Sequence, residues 1–345
     1  MQILALALTV SALGTPSSSE TITFAVPAGV SVEKIWTTQH TLRTADMNRS
    51  LGQESRAYRM RLDGISSEEI LGALDQYEQV DGGRPTKFRR SYTKGRRVSQ
   101  LFNERGSQPK IRQRALLRGN SAMFTWVPEE GIYGKYFDRE ELDEDMLAYL
   151  RGDLDLIFAL PEVPVSPGDR WELTPAELID LFGRSGTFPY EIIGDKDDFL
   201  IRALDSGLAG SLDQAFGGTA EGRAEVHFKE IRESDAGREA ILEIGCQVAY
   251  ERDRTAFVRA NTIRKEQQEG IDYQEAFLRL LIEGRGTIVW NLDEQRPTEL
   301  AFEGTETTYI RIVHRAPTDE EGVNRAQDVT MKGSLTIGAS YTRLP

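Results

Sequence analysis

The sequence predicts a mainly β (α+β) protein, built as one large curved antiparallel sheet or as two sheet subdomains, with a few packing helices. Three observations lead to this prediction. Apolar and polar residues alternate with period two over long stretches, clusters of turn-forming residues separate these stretches, and patterns typical of helices are few. Alternation places apolar side chains on one face of each strand and polar side chains on the other, as in antiparallel sheets with one solvated face.

The N-terminus resembles a secretory signal peptide. Residues 3–13 are apolar except for Thr9 and Ser11, and small residues and a serine run follow them. We expect removal of residues 1–14 by cleavage after Gly14, and a mature protein that is periplasmic or secreted in a bacterium. A buried first strand or helix of a cytosolic protein is the alternative. The apolar run is shorter than the roughly 20 residues that a spanning helix needs, so we expect no transmembrane span.

The N-terminal third carries shorter alternating stretches. They predict strands over residues 21–26, 32–42, 55–62, 86–92, 98–102 and 122–127. The sequence from Ser66 to Glu69 has the form of a capping box and precedes Ile70, Leu74 and Tyr77. This spacing predicts a helix there.

Two further helices are predicted near the middle of the chain. Asp138 is a suitable cap for an acidic helix over residues 139–158, in which apolar residues recur every four positions. Thr174 and Glu177 form a capping box around a proline, which predicts a short helix over residues 175–182 that ends at Gly183.

A proline-rich connector separates these two helices. Pro161, Pro164 and Pro167 fall within seven residues and favour an extended chain. We therefore expect a boundary here between two β-rich subdomains. The first comprises residues 15–160, with the acidic helix near its end, and the second is a C-terminal antiparallel subdomain of residues 161–345.

The last third of the chain predicts long strands joined by turns. Even-numbered residues from Leu278 to Leu292 are apolar or glycine, and several odd-numbered ones are charged. The same rhythm marks residues 300–312 and 329–341, and residues 223–250 predict a hairpin with its turn at 234–237. Alternation alone cannot distinguish a lipid-facing strand from a core-facing one. The capped helices, the connector and the charges along the strands favour a core.

Charge is unevenly distributed along the chain. Between Arg84 and Arg118 there are twelve Lys or Arg residues and one acid, in a protein of net charge −13. Such a stretch forms either a polyanion-binding surface or a solvated face that pairs with acidic neighbours, such as those of the helix predicted over 139–158. We favour the second. For the first, an anionic glycan or lipid headgroup is expected rather than nucleic acid, and the candidate residues are Arg89, Arg90, Lys94, Arg96 and Arg97.

The sequence contains none of the common catalytic or metal-binding motifs. His40, His227 and His314 lie far apart on predicted strands, which is typical of structural histidines. Cys246, the only cysteine, alternates with apolar residues, which predicts an inert core thiol and excludes an intrachain disulfide. We therefore expect no metal and no cofactor. A pair of catalytic carboxylates cannot be recognised by sequence among 55 acidic residues.

Residues 160–171 resemble a motif of exported bacterial β-rich proteins of unknown function. In these proteins V-x-x-G-D-x-W follows a proline-containing loop, and Val165, Gly168, Asp169 and Trp171 match that motif. The resemblance extends from Asp138 to the C-terminus and includes the long hairpins. The resemblance implies export and a β-rich architecture. It gives no support to a catalytic assignment.

These observations favour a non-catalytic exported envelope protein that binds an apolar ligand, a lipid or a partner protein. A one-sided sheet covered by few helices leaves a cleft, and we expect it to be lined by Leu280, Ile282, Ile288 and Trp290. The alternatives are a carboxylate-dependent enzyme acting on envelope polysaccharide, and a polyanion-binding or adhesion module that uses residues 84–118. The oligomeric state stays open.

Overall fold

Long antiparallel strands make up most of the described chain. The computed structural model describes residues 19–51, 54–57, 63–103, 106–107, 109–138, 143–147, 150, 152–182, 190–193, 218–260, 271–315 and 324–345. Within these ranges, fifteen strands join in one sheet. This confirms the mainly β class. The predicted signal peptide, residues 1–14, lies outside the described residues.

The strands are numbered in chain order. Their bounds are β1 (Ser31–Leu51), β2 (Glu54–Ala57), β3 (Gly64–Asp81), β4 (Arg84–Asn103), β5 (Gly106–Ser107), β6 (Ile111–Ala115), β7 (Ser121–Val127), β8 (Ile132–Phe137), β9 (Arg170–Leu173), β10 (Tyr190–Ile193), β11 (Thr219–Ser234), β12 (Gly237–Asp253), β13 (Asp272–Asn291), β14 (Arg296–Arg315) and β15 (Arg325–Leu344). Among the described residues, the helical elements are two 3-10 turns, Glu144–Leu147 and Ile157–Ala159, and two α-helices, α1 (Ile179–Phe182) and α2 (Thr255–Ala260).

The sheet is ordered β10–β6–β4–β3–β1–β15–β14–β13–β12–β11–β9. Outside this path, β2 pairs with β1, β5 pairs with β4, and β7 joins β4 to β8. The terminal strands of the path, β9 and β10, have only four residues each, and short edge strands limit pairing with other chains. Because β1 pairs with β15 along its length, sheet hydrogen bonds connect the two predicted subdomains. The boundary near Pro161 stays a prediction.

The C-terminal hairpins are confirmed. β11 and β12 pair across the predicted turn, and β13, β14 and β15 form a continuous meander. Even-numbered side chains of β13 are buried from Ala276 to Ile282 and again at Ile288 and Trp290. We call the face that carries them the inner face and the opposite one the outer face. Gly284 also lies on the inner face, where an added Cβ would come 2.6 Å from the ring of Phe302, so this glycine permits close packing.

The helix predicted after Ser66 is wrong, because residues 64–81 form strand β3. Its buried residues include Leu71, Ala73 and Tyr77, which follow period two. β3 pairs with β1 on one side and β4 on the other. Two long strand partners outweigh the local helical signal, since propensity is a weak prior against tertiary pairing.

The helix predicted over residues 139–158 is also wrong. Among the described residues of this range, only the 3-10 turn Glu144–Leu147 and the start of the turn at Ile157 are helical. Asp153 accepts hydrogen bonds from the backbone N–H groups of Asp155 (2.7 Å) and Ile157 (3.1 Å). An aspartate that binds nearby backbone donors in this way favours turns over a continuous helix. Gly152 has no room for a Cβ against the ring of Tyr133.

Other local predictions are confirmed in part. Thr174 and Glu177 form the predicted capping box, with the Thr174 backbone N–H and hydroxyl donating to the Glu177 carboxylate at 2.6 and 2.8 Å. The helix itself is shorter than expected and begins at Ile179; Gly183 lies outside the described residues.

The strands predicted over 86–92 and 98–102 are one strand with a register shift opposite Gly72. Residues 21–26 are not a strand, although Glu20 forms an isolated bridge with Val165.

Residues 152–182, which we call the crossing segment, run from the β8 side of the sheet to β9 and lie against the inner face. The hydroxyl of Tyr341 donates to the Leu154 carbonyl at 2.9 Å, and the hydroxyl of Tyr250 donates to the Pro175 carbonyl at 2.8 Å. The ring of Phe182 packs edge-on against Phe302 at 5.5 Å. The apolar residues of this segment therefore belong to the same core as those of the sheet.

A buried charge cluster fixes the crossing segment to the sheet. Lys34 on β1 contacts Asp75 on β3 at 2.5 Å and Asp155 of the crossing segment at 2.8 Å. Arg90 on β4 binds both carboxylate oxygens of Asp75 at 2.7 Å. The Tyr77 hydroxyl donates to Asp155 at 2.7 Å. The four ionised side chains are at most 2% exposed.

The cluster balances two cations against two anions, which is a condition for burying charge. Burial alone would raise the pKa of Asp75, but the charges of Arg90 and Lys34 outweigh it and hold that pKa below its ordinary value of 3.8. Arg90 also donates to the Gly152 carbonyl at 2.8 Å. Removal of one member would leave a buried charge of opposite sign without its partner.

Lys34→Met should therefore lower the free energy of unfolding by about 3–5 kcal/mol, because Asp155 would keep its charge without a cationic partner. Urea unfolding followed by tryptophan fluorescence measures this. Lys229→Met is the matched control, since Lys229 is half exposed and pairs with Glu243 at 2.7 Å on the surface; its loss should stay below about 1 kcal/mol. Equal effects of the two variants would contradict the assigned role of the cluster.

Candidate functional site

An open groove lies on the outer face of the sheet, where β9, β11, β12, β13 and β14 are neighbours. We call it the outer groove. Its volume is about 480 Å³, which falls in the range of about 300–1,000 Å³ typical of ligand sites. Its lining residues are Arg170, Glu225, His227, Glu243, Ile244, Gly245, Arg285, Gly286, Thr287, Ala301 and Glu303.

Small residues form the floor of the outer groove. Thr287 on β13 lies opposite Ala301 on β14, and Gly245 on β12 lies opposite Arg285 on β13. Directly opposed residues of antiparallel strands have Cβ atoms about 5 Å apart. Because Thr287, Ala301 and Gly245 carry a small side chain or none, the sheet surface is depressed between longer side chains on either side.

Charged side chains of both signs form the walls. Arg170 pairs with Glu225 at 2.9 Å, and Arg285 lies opposite Glu303 across the β13–β14 pair. Glu243 accepts a hydrogen bond from Lys229 at 2.7 Å and contacts His227 at 3.4 Å. The hydrogen bond from Lys229 lowers the pKa of Glu243, and that from His227 acts in the same direction.

This arrangement suits the binding of a polar ligand better than acid–base chemistry. A general acid at neutral pH needs a raised pKa, and the pKa of Glu243 is lowered. Glu225 is held by Arg170. Alternating positive and negative groups around a shallow floor instead match a ligand that carries both charges.

Sequence reasoning did not identify the outer groove. Its residues come from five strands, and in the sequence they are ordinary polar or small residues of alternating strands, apart from Ile244. Of the sequence Gly284-Arg285-Gly286, only the second and third residues line the groove. Strand register, which brings Glu225, Gly245 and Arg285 side by side, is the missing information.

The four residues expected to line an apolar groove lie in the core. Leu280 is 3% exposed, Trp290 1%, and Ile282 and Ile288 are fully buried. All four belong to the cluster that also contains residues of the crossing segment, such as Leu181 and Phe182. The apolar groove stays a prediction, and a ligand reaching these side chains would have to displace atoms that now cover them.

The five candidate polyanion-binding residues do not share one surface. Arg90 is buried in the charge cluster, and Arg97 is largely buried and pairs with Glu69 at 2.5 Å. Arg89 contacts Asp138 at 3.2 Å, and Arg96 contacts Glu68 at 3.0 Å. Lys94 is exposed. The carboxylate partners thus lie mostly on β3 rather than on the predicted acidic helix, because β3 is the neighbour of β4.

The residues of the V-x-x-G-D-x-W motif have structural contacts. Gly168 adopts φ +103°, and its backbone N–H donates to the Phe228 carbonyl at 2.6 Å. Asp169 accepts a hydrogen bond from the Ser166 N–H at 2.7 Å. The Trp171 indole donates to the Ala159 carbonyl at 3.2 Å. The motif therefore builds a tight turn that docks on β11 and leads into β9.

His40, predicted as a structural histidine, and Cys246, predicted as an inert core thiol, are both buried on the inner face. His40 Nδ1 lies 3.6 Å from Glu306 Oε2 across β15, and Thr308 donates to the other Glu306 oxygen at 3.1 Å. Cys246 is buried, and burial raises the pKa of its thiol to about 12, in agreement with an inert thiol. Within the described ranges, no cluster of three or more His, Cys, Asp or Glu side chains has the geometry to hold a metal ion.

Asp153 is the carboxyl group whose proton affinity the structure changes most clearly. Burial, and then the negative charges of Asp180 and Asp155, raise its pKa from 3.8 to about 7, and Lys34 only partly offsets them. On the sheet side, Asp153 faces Tyr133, near which Arg84 and Arg90 also lie. Because Asp153 binds two backbone N–H groups of the crossing segment, its ionisation state bears on how that segment is held.

The stability of the protein should fall as pH rises through about 7 because of Asp153. Its pKa is about 7 in the folded chain and near 3.9 when unfolded, so the folded state binds the proton more tightly. The stabilisation is fully present below the unfolded pKa and is lost as pH rises to the folded value. Asp153→Asn should remove this dependence. The unfolding free energy of the variant minus that of the parent should therefore increase by about 1–3 kcal/mol between pH 5 and pH 8. Parallel curves of unfolding free energy against pH would contradict the prediction.

Comparison with known proteins adds little. No protein-family model matches the chain, and no curated protein matches it. Among solved structures, an outer membrane channel from Pseudomonas putida F1 aligns at 9% identity and a TM-score of 0.23, covering 92% of this chain and 97% of that one. The outer membrane protein OprG from Pseudomonas aeruginosa aligns at 7% identity and 0.22, covering 91% and 97%. Likeness at these scores carries no argument about this chain.

In the part of the chain that the structure describes, no helix is long and apolar enough to cross a membrane.

Proposed function

We propose that this chain is a non-catalytic exported protein of the bacterial envelope that binds a partner protein through the outer groove. The observation that carries the proposal is the groove itself, with a volume of about 480 Å³ and wall charges of both signs above a floor of small residues. A partner segment with basic and acidic side chains could pair with Arg285 and Glu303 while its backbone lies over Thr287.

Polarity favours a partner protein over an apolar ligand. The outer groove exposes charged groups, whereas the apolar inner face is in contact with the crossing segment, as the Phe182–Phe302 packing shows. An apolar ligand or lipid bound beside Leu280 and Trp290 is the second candidate, and it requires movement of the crossing segment.

Export and family membership belong to the same proposal. The apolar N-terminal run with its small-residue site supports export. The turn built by Gly168 and Asp169 supports the resemblance to exported β-rich proteins, because it explains why a glycine and an aspartate are needed there. Absence of an intrachain disulfide, with one cysteine in the sequence, is compatible with a protein of this size held together by burial.

The carboxylate-dependent enzyme is the less favoured alternative. Three carboxylates, those of Glu225, Glu243 and Glu303, do line the outer groove. However, Glu225 and Glu243 are each paired with a cation, which stabilises their charged forms and works against proton donation.

A photo-crosslinking amino acid at Thr287 should give a discrete adduct with one partner in cells of the native host, because this position is on the groove floor. The same amino acid at Gln39, an exposed residue of β1 on the same outer face, is the matched control and should give none. Adducts are detected by immunoblotting and identified by mass spectrometry.

Charge reversal tests whether the groove charges hold the partner. Arg285→Glu combined with the crosslinker at 287 should reduce the adduct yield by about fivefold or more, since one reversed ion pair costs on the order of 1 kcal/mol. Identical labelling from positions 287 and 39, or a yield that does not respond to Arg285→Glu, would refute partner binding at this site.

A further inference from the structure

A second surface lies at the opposite end of the outer face, where β4, β6 and β10 are neighbours. The register places Arg96 directly opposite Arg114, and Val98 opposite Arg112. Lys94 lies two residues from Arg96 on the same strand and is exposed. β10 continues the rows, with Glu191 opposite Arg114 and Ile193 opposite Arg112. We call Lys94, Arg96, Arg112, Arg114, Leu116 and Ile193 the cationic corner.

The cationic corner has an excess of positive charge that the fold does not need. Directly opposed like charges destabilise a strand pair, yet Arg96 faces Arg114. Glu68 contacts Arg96 at 3.0 Å, and Glu191 pairs with Arg114, so among the residues that the structure describes here four cations are matched by two acids. The exposed residues Lys110 and Arg118 flank β6 and add to the same sign. This occurs in a chain of net charge −13.

Aliphatic side chains are exposed in the same place. Ile193 is 54% exposed and shares its row with Arg112. Leu116 is 42% exposed and directly follows β6. These are two of the six large hydrophobic residues that are exposed in the described chain. A surface made of cations and exposed aliphatic groups is typical of proteins that rest on a bilayer.

We infer that the cationic corner binds the surface of a membrane that contains anionic lipid headgroups. Phosphate groups would be bound by the arginines, whose planar guanidinium groups suit oxyanions. The ends of Leu116 and Ile193 would enter the interfacial region. A soluble anionic glycan offers the charges but no apolar environment for these two side chains, so it explains only half of the surface.

The expected interaction is weak and reversible. Each basic residue near an anionic membrane surface strengthens binding about fivefold, and the effect decays within a Debye length. A net excess of two to four charges with two aliphatic contacts therefore predicts binding that depends steeply on salt. Such binding would keep the protein at a membrane surface while the outer groove stays accessible, since the two sites occupy opposite ends of the sheet.

Vesicle flotation with the purified mature chain tests the proposal. At low salt, the protein should float with phosphatidylcholine vesicles that contain phosphatidylglycerol and remain in the soluble fraction with pure phosphatidylcholine vesicles. Lys94→Glu with Arg112→Glu should weaken binding by about tenfold or more. Arg223→Glu with Lys332→Glu changes the net charge equally at exposed positions elsewhere in the sheet and should have a much smaller effect.

The aliphatic contribution is tested separately. Leu116→Ser with Ile193→Ser should reduce vesicle binding several-fold while leaving retention on a heparin column unchanged. Urea midpoints equal to that of the parent show that a variant is folded. The proposal is overturned if the protein does not float with anionic vesicles, or if both double charge variants lose vesicle binding equally. It is also overturned if a heparin column retains the protein while anionic vesicles do not bind it. Crosslinking at Thr287 in the Lys94→Glu/Arg112→Glu background reports on the outer groove, so the two proposals can fail independently.

Discussion

The buried contact among Lys34, Asp75, Arg90 and Asp155 is the constraint on which the architecture depends. It joins three strands, β1, β3 and β4, to Asp155 of the crossing segment, a residue that lies outside any helix or strand. Shifting any of these strands by one residue would turn a charged side chain to the other face of the sheet. Each of these charges is stable in the interior only when all its partners are present. The cluster therefore specifies both strand register and the path of the crossing segment.

The two faces of the sheet, whose register the buried charge cluster specifies, differ in what they contribute to the protein. The inner face supplies the core, with Phe302, Trp290 and Tyr77 among its largest buried side chains. The outer face carries many charged side chains, and its variation in charge and side-chain size produces the two surfaces that we assign to binding. Function in this chain thus depends on positions where burial imposes little, and loss of a groove or corner residue should leave the fold intact.

Sequence reasoning succeeded where a local rule matches the long-range contact. The alternation in residues 278–292 and the capping box of Thr174 are examples, because each is decided by residues close together in the chain. It failed where distant partners override local preference, as in β3, and where Asp153 binds nearby backbone N–H groups and so favours turns over the predicted helix. The outer groove could not be predicted, since the opposition of Gly245 to Arg285 is a matter of register between strands. The basic stretch 84–118 indicated the region of the cationic corner and included Lys94 and Arg96 among its candidates. The opposition of Arg96 to Arg114 again depends on strand register.

The pairing of β1 with β15 has a consequence for how the molecule is assembled. Ser31 lies opposite Leu344 and Leu51 opposite Arg325. The edge of β1 that pairs with β15 therefore stays unpaired until β15 has been synthesised. Contacts between residues this far apart in sequence form slowly. Until then β1, paired only with β3 and β2, presents an open row of backbone donors and acceptors, and a nascent chain in this state is a natural client for a chaperone that shields strand edges.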